Sequence, residues 1–327
     1  MSLDNDSGGP PPPGPPPTEP PYGLIKPAWL AGNVIPFLGA GASLVGRPGQ
    51  DAEWSPGCPF LPGAAELSRF LAKAAKFPST DPHEISDLAK VTSYVALRAG
   101  RRGLRAALRE VFFSPGADAR FQPGPLHRYI AGVPCHQLII STNYDNLMEA
   151  ALRTNGKPYD LMVYPADHAA HRNDVLWQRH NEKAEFVPPN KLSVDFDRTI
   201  VFKMHGSVSE IESLDSFLIT EEDYVDFLYR MTARTAIPPL VLDYLANKSF
   251  LFLGYGLKDW NLRLILQNLS DFLSERVRDR VDSFGDPVPS WAIQKAPSQV
   301  EVVLWEKRNV QIFNQDLEAF AAGMSGA

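Results

Sequence analysis

The chain has 327 residues, 44% apolar and 21% charged, the make-up of a folded globular chain with ample material for a core. A formal net charge of −6 argues against direct nucleic-acid binding, and no apolar run approaches the roughly 18–20 residues that a membrane-spanning helix needs. The two cysteines, Cys58 and Cys135, can build neither a disulfide framework nor a four-cysteine zinc site. With no basic-then-apolar leader, a cytoplasmic protein is expected.

In chain order, residues 1–22 carry a run of prolines from Pro10 to Pro21 and predict a disordered or polyproline-like tail ahead of a folded domain over 23–327. Val34–Leu38 reads as a first strand, although Pro36 removes a ladder donor. Residues 44–63 are rich in glycine and proline and read as a loop. Helical spacing then runs over Ala64–Lys76 and, with a break near Gly100–Gly103, over Glu84–Phe113. These helices predict a small inserted lobe, about 64–130, which includes a short helix at Leu126–Ile130. Strands follow at Gln137–Ile140, Tyr159–Tyr164, Thr199–Met204, Phe250–Leu253, Trp291–Gln294 and Val310–Phe313. Helices are predicted at Asp145–Arg153, Glu221–Arg230, Pro239–Asn247, Asn261–Phe272 and Leu317–Ala322, with a loop excursion over 166–192. This alternation predicts an α/β, Rossmann-like fold: a mainly parallel sheet with helices on both faces.

Four polar segments each follow an apolar, strand-like run, where a doubly wound sheet places its ligand edge. The first is Gly39-Ala40-Gly41-Ala42-Ser43, which fits either a phosphate-binding turn or a tight structural turn. In the second, Thr142-Asn143-Tyr144-Asp145, helix capping competes with a ligand role: Asn143 on a ribose hydroxyl or water, Asp145 on a carboxamide. In the third, Lys203-Met204-His205-Gly206, His205 is either a structural imidazole or a general base with an ordinary pKa near 6.5. The fourth is Gly254-Tyr255-Gly256 with Asp259-Trp260-Asn261, a second nucleotide-contacting turn or a capped helix start. His168 and His171 have metal-like spacing but no accompanying carboxylate signature, so no metal is expected.

Taken in order, these segments resemble the sirtuin superfamily, and within it the SIR2-like domains of bacterial antiphage defence. Thr142-Asn143-Tyr144-Asp145 stands where sirtuins have Gln-Asn-Ile-Asp. The stretch Ile219-Thr220-Glu221-Glu222-Asp223-Tyr224 with Phe227 also looks like the family's sequence after its His-Gly pair. The resemblance covers about residues 30–322. It implies NAD+ as substrate and cleavage of the nicotinamide–ribose bond, with Asn143, Asp145 and His205 as the catalytic group. It further implies binding contacts from Gly39, Ala40, Gly41, Ser43, Thr142, Tyr144, Gly206, Gly254, Tyr255, Gly256, Asp259 and Asn261. The zinc module of deacylating sirtuins is missing, as is their Gly-x-Pro-Asp-Phe-Arg segment, so no zinc is expected and protein deacylation is disfavoured. Uncontrolled NAD+ loss is lethal, so the resemblance also implies a gated effector: a homo-oligomer, or a subunit controlled by a defence partner such as an ATPase, an Argonaute-type protein or a phage-triggered protein. A nucleotide sensor without turnover and a transferase using a protein acceptor are the alternatives.

Overall fold

A computed structural model describes residues 16–49, 52–113, 120–192, 194, 197–233, 235–245, 248–256 and 289–326. Its strands are β1 (Val34–Leu38), β2 (Leu138–Ser141), β3 (Tyr159–Val163), β4 (Val175–Gln178), β5 (Glu185–Val187), β6 (Thr199–Lys203), β7 (Gly206–Ser207), β8 (Ser216–Phe217), β9 (Ser249–Leu253), β10 (Ser290–Gln294) and β11 (Val310–Asn314). Among the described residues the main sheet runs β11-β10-β9-β1-β2-β6-β3-β4-β5, and β7 with β8 forms a separate ribbon. All neighbours from β11 to β3 are parallel, whereas β4 and β5 join antiparallel at one edge. This is the expected Rossmann-like α/β fold.

Every residue of β1, β2, β6 and β9 is buried, which explains why these strands read as continuous apolar runs without alternation. Pro36 lies in a central strand after all. β1 pairs with β9 along its whole length but with β2 only at Phe37 and Leu38, past the residue that has no N–H.

The helices are α1 (Tyr22–Leu30), α2 (Ala64–Ala75), α3 (Pro82–Ser86), α4 (Leu88–Phe112), α5 (Pro125–Gly132), α6 (Leu147–Thr154), α7 (Glu221–Thr232), α8 (Pro239–Leu245), α9 (Gln299–Glu306) and α10 (Leu317–Gly326). One face of the sheet packs Ile35, Phe37, Ile140 and Phe202 against α7, α8 and α9 through Phe227, Leu242 and Trp305. The other packs Val34, Leu38, Ile139 and Val201 against α1, α5, α6 and α10 through Trp29, Ile130, Leu152 and Phe320. A third core, with Leu71, Val95, Leu104 and Leu108, belongs to the lobe of α2 and α4 and takes in Tyr144, Val208, Phe217 and Ile219 from the sheet's carboxyl edge.

Several boundaries differ from the sequence expectation. The helix α5 packs on the sheet with α6 and α10, so the lobe ends before it. The domain also begins earlier than residue 23: the Pro17 carbonyl accepts a hydrogen bond from Asn314 N, and Tyr22 stacks on Phe320. The expected loop at 166–192 contains the β4–β5 hairpin, and α9 adds a helix between the strands expected at Trp291–Gln294 and Val310–Phe313. The expected break in α4 falls at Gly100, whose φ of 71° lies in the left-handed region. The next residue, Arg101, pairs with Asp167 and with Asp223 at 2.7 Å, and donates to the Phe217 carbonyl, fastening the lobe to the sheet edge. The predicted helix at 261–272 lies outside the described residues.

Candidate active site

Parallel pairing sets the position of each motif. Leu38 is in register with Leu253 on one side and Ser141 on the other, and Ser141 is in register with Lys203. Gly39–Ser43, Thr142–Asp145, His205–Gly206 and Gly254–Gly256 therefore leave four adjacent strands, β1, β2, β6 and β9, at one carboxyl edge. Asn143 and His205 each stand two residues beyond a paired couple. Asp259 and Asn261 lie outside the described residues.

The two glycine turns are pressed backbone against backbone. Gly41 N donates to the Gly254 carbonyl at 2.8 Å, and Gly39 N donates to Leu253 O at 2.9 Å. A Cβ on Gly39 would fall 2.7 Å from the Gly254 oxygen, and one on Gly41 would fall 2.9 Å from the Gly254 Cα. Gly254 has φ of 79°, and a Cβ there would collide with Ala42 N. The approach of one turn to the other is thus a sufficient reason for glycine at all three positions. Ala40 is exposed at the tip, and Gly256 has open space around its Cα. The Tyr255 hydroxyl donates to Leu38 O at 3.0 Å and lies 2.9 Å from Thr142 Oγ1, bracing β9, β1 and β2 together.

A hydrogen-bond chain fixes Asn143. Asp145, as a carboxylate, can only accept; its Oδ1 takes Leu147 N at 3.0 Å and its Oδ2 takes the Ser43 hydroxyl at 2.7 Å. Ser43 Oγ, having donated its proton, accepts from Asn143 Nδ2 at 2.9 Å, and the second Nδ2 proton goes to the Gly39 carbonyl at 2.9 Å. Both donors of the Asn143 amide are engaged, which assigns its orientation and leaves Oδ1 as an acceptor with no partner among the described residues. Asp145 and Ser43 therefore position Asn143. Tyr144 faces away: its ring packs between Phe112 and Phe217, its hydroxyl donates to Leu218 O at 2.6 Å, and burial pushes its pKa well above the usual value.

His205 is buried. Its ring meets Tyr224 and Phe227 edge-on at 5.7 and 5.9 Å, and its Nε2 has no hydrogen-bond partner among the described residues. Burial pushes its pKa down to about 3, so the imidazole is neutral at physiological pH. Gly206, at φ of 87°, lets the chain turn into the β7–β8 ribbon, where a Cβ would run into the Ser216 carbonyl.

Beneath the site lies a buried polar layer with little sequence signature. Lys203 is 1% exposed; it donates to the Asp145 carbonyl and pairs with Glu149 at 3.4 Å. His127 of α5 is also buried, and desolvation lowers its pKa to about 4, partly opposed by Asp145. No cluster of three or more metal-ligating side chains occurs among the described residues, and no described helix is long and apolar enough to cross a membrane.

Fold and edge together define the class: a Rossmann-like α/β protein with a polar site built at the carboxyl ends of its central strands. Residues 137–313, more than half of the chain, match the SIR2-like domain family, and the chain belongs to that family. It is similar to the "NAD(+) hydrolase ThsA" of Enterococcus faecium, 26% identical over 250 residues, which is 76% of this chain and 42% of that protein. The ThsA of Cytobacillus dafuensis is 25% identical over 217 residues, 66% of this chain and 37% of that protein. "Defense-associated sirtuin 2" of Bacillus subtilis is 24% identical over 194 residues, 58% and 15% of the two chains. The chain thus spans less than half the length of each of these relatives.

Proposed function

We propose that this protein is an NAD+ glycohydrolase that cleaves the nicotinamide–ribose bond and serves as a gated effector of antiphage defence. One observation carries the reading: four adjacent strands deliver the glycine turns, Asn143 and His205 to a single carboxyl edge. The names of the relatives support the substrate and the setting.

Cleavage passes through an oxocarbenium-like centre and expels an already cationic nicotinamide as a neutral molecule, so the leaving group needs no acid. Positioning and a proton acceptor for the incoming hydroxyl remain to be supplied. Asn143 Oδ1, fixed as an acceptor, orients the water or a ribose hydroxyl. His205, neutral and with Nε2 unpartnered among the described residues, accepts a proton, but burial holds it far below the operating pH, so it contributes less than the about 10²–10⁴-fold of a pKa-matched base unless substrate binding raises its basicity. The turn at Gly39–Ser43 carries the pyrophosphate. Control falls to self-assembly or to a defence partner, and the product is ADP-ribose or its cyclic form.

The test is incubation of the purified chain with NAD+, with and without an acylated peptide and with and without self-association, reading nicotinamide. Release without the peptide that is lost in Asn143→Ala and in His205→Ala supports the hydrolase. Tight NAD+ binding with no nicotinamide in any condition replaces it with a sensor, and release that requires the peptide replaces it with a deacylase or transferase.

A further inference from the structure

Asn143 and His205 both lie past the bond from Met204 N to Ser141 O, 2.9 Å long, that extends the β2–β6 pairing. Beyond that bond Tyr144 connects their segments twice. Its hydroxyl donates to the Leu218 carbonyl at 2.6 Å, and Leu218 N in turn donates to the His205 carbonyl at 2.9 Å. Its own carbonyl accepts from Val208 N at 2.9 Å, three residues past His205. Lys203 also reaches this loop, through the Asp145 carbonyl, but from within β6 rather than from the ribbon of β7 and β8 that follows His205. Leu218 is fully buried and Tyr144 nearly so, so water does not readily stand in for the phenol.

Packing aims the hydroxyl. The ring lies edge-on between Phe112 of α4 and Phe217 of β8, with centroids 5.5 and 5.4 Å away. Burial keeps the phenol protonated, as a donor must be. A leucine or isoleucine could occupy the space beside Phe112 and Phe217 but could not donate to the Leu218 carbonyl. Other ties on the ribbon come from α4: Arg101 donates to the Phe217 carbonyl, and Arg109 donates to Asp215 at 2.9 Å and to Ser209 O at 2.7 Å. Those ties fasten the ribbon to the lobe, whereas Tyr144 fastens it to the loop that carries Asn143.

We propose that Tyr144 is a positioning residue: through its hydroxyl and its carbonyl it holds the ribbon, and with it the His205 backbone, at a set spacing from Asn143. It serves the site from behind, in place of the nucleotide contact that the family resemblance implies for it. The inference rests on the hydrolase reading for what the spacing serves, while the spacing itself is measurable without turnover.

Tyr144→Phe keeps the ring and removes the hydroxyl. Two measurements on the full chain test it: steady-state nicotinamide release, and hydrogen exchange by mass spectrometry over 205–218, with 138–141 and 199–203 as internal references. The expected result is a kcat lower by roughly tenfold with KM within about twofold, the scale of one buried hydrogen bond. Exchange over 205–218 should be faster by several-fold or more while the two reference strands are unchanged. Phe320→Leu, a core change on the far face of the sheet, controls for general loss of stability and should keep kcat. A kcat within about twofold of wild type, a rise in KM alone, an equal loss of kcat in Phe320→Leu, or exchange that is unchanged or faster throughout the chain overturns the proposal. If the wild-type chain releases no nicotinamide, the hydrolase reading falls, and local exchange then supports or overturns the coupling on its own.

Discussion

Ser43→Ala is the sharpest test of how the site is held. The change removes the hydroxyl that donates to Asp145 at 2.7 Å and accepts from Asn143 at 2.9 Å. Asp145 is 4% exposed, so water does not readily replace the lost donor. An unsatisfied buried acceptor of this kind costs about 1–3 kcal/mol of stability. Asn143 keeps one anchor, the Gly39 carbonyl, but loses the contact that ties it to Asp145. Losing one neutral hydrogen bond and its link to a carboxylate removes about 1.4–2.7 kcal/mol of orientation, equivalent to a fall in kcat of roughly 10- to 100-fold. The assay is steady-state nicotinamide release by a variant shown to be folded. Its discriminating readout is the split between constants: kcat falls and KM changes little if Ser43 acts through Asn143, whereas KM rises if Ser43 mainly holds the pyrophosphate. Ser43→Thr, which keeps the hydroxyl, should recover most of the rate. A folded Ser43→Ala enzyme with kcat within about twofold of wild type refutes the reasoning.

Three further outcomes follow from the same geometry. His205 and His127 titrate near 3 and 4 in the folded chain and near 6.5 when unfolded, so the unfolded chain takes up protons first and stability falls as pH drops from about 6.5 toward 3–4; His205 alone accounts for roughly 3 kcal/mol by pH 4. Urea midpoints measured from pH 7 to 4.5 should show this slope, and His205→Gln should flatten it; an unchanged slope argues against a buried neutral imidazole. Gly254→Ala forces a left-handed φ on alanine and drives a Cβ into Ala42, costing about 2–5 kcal/mol, so a melting temperature equal to wild type contradicts the turn-on-turn packing. Lys203→Met strands Glu149 and should cost about 3–5 kcal/mol, much of it restored in Lys203→Met/Glu149→Leu; a double variant no better than the single one dissolves the ion-pair account.

The central strands were legible because a strand buried on both faces must be apolar throughout, and each polar motif began where such a run stopped. The kink in α4 was announced by Gly100. Contacts closed across long sequence distances were not legible. Nothing local says that Ser43 and Asp145 share a proton across 102 residues, or that Tyr144 turns from the edge into the lobe core. The roles of Lys203, Glu149 and His127 were hidden because a charged residue at a strand end or in a helix usually faces solvent. The helix α9 did carry a signal, the Ser298-x-x-Glu301 capping box, with Glu301 N donating to Ser298 Oγ and Ser298 N donating to Glu301. The β4–β5 hairpin left only short apolar patches, Val175-Leu176-Trp177 and Phe186-Val187, among polar loops.

β1 occupies the middle of the sheet, flanked by β9 and β2, yet it comes from the first forty residues, a hundred positions ahead of the segment that matches the family. A fragment restricted to 137–313 would keep both neighbours and lose the rib between them, together with the turn that orients Asn143. Any excised version of this domain must therefore retain its opening stretch, because neither side of the platform has an inner border to rest on without it.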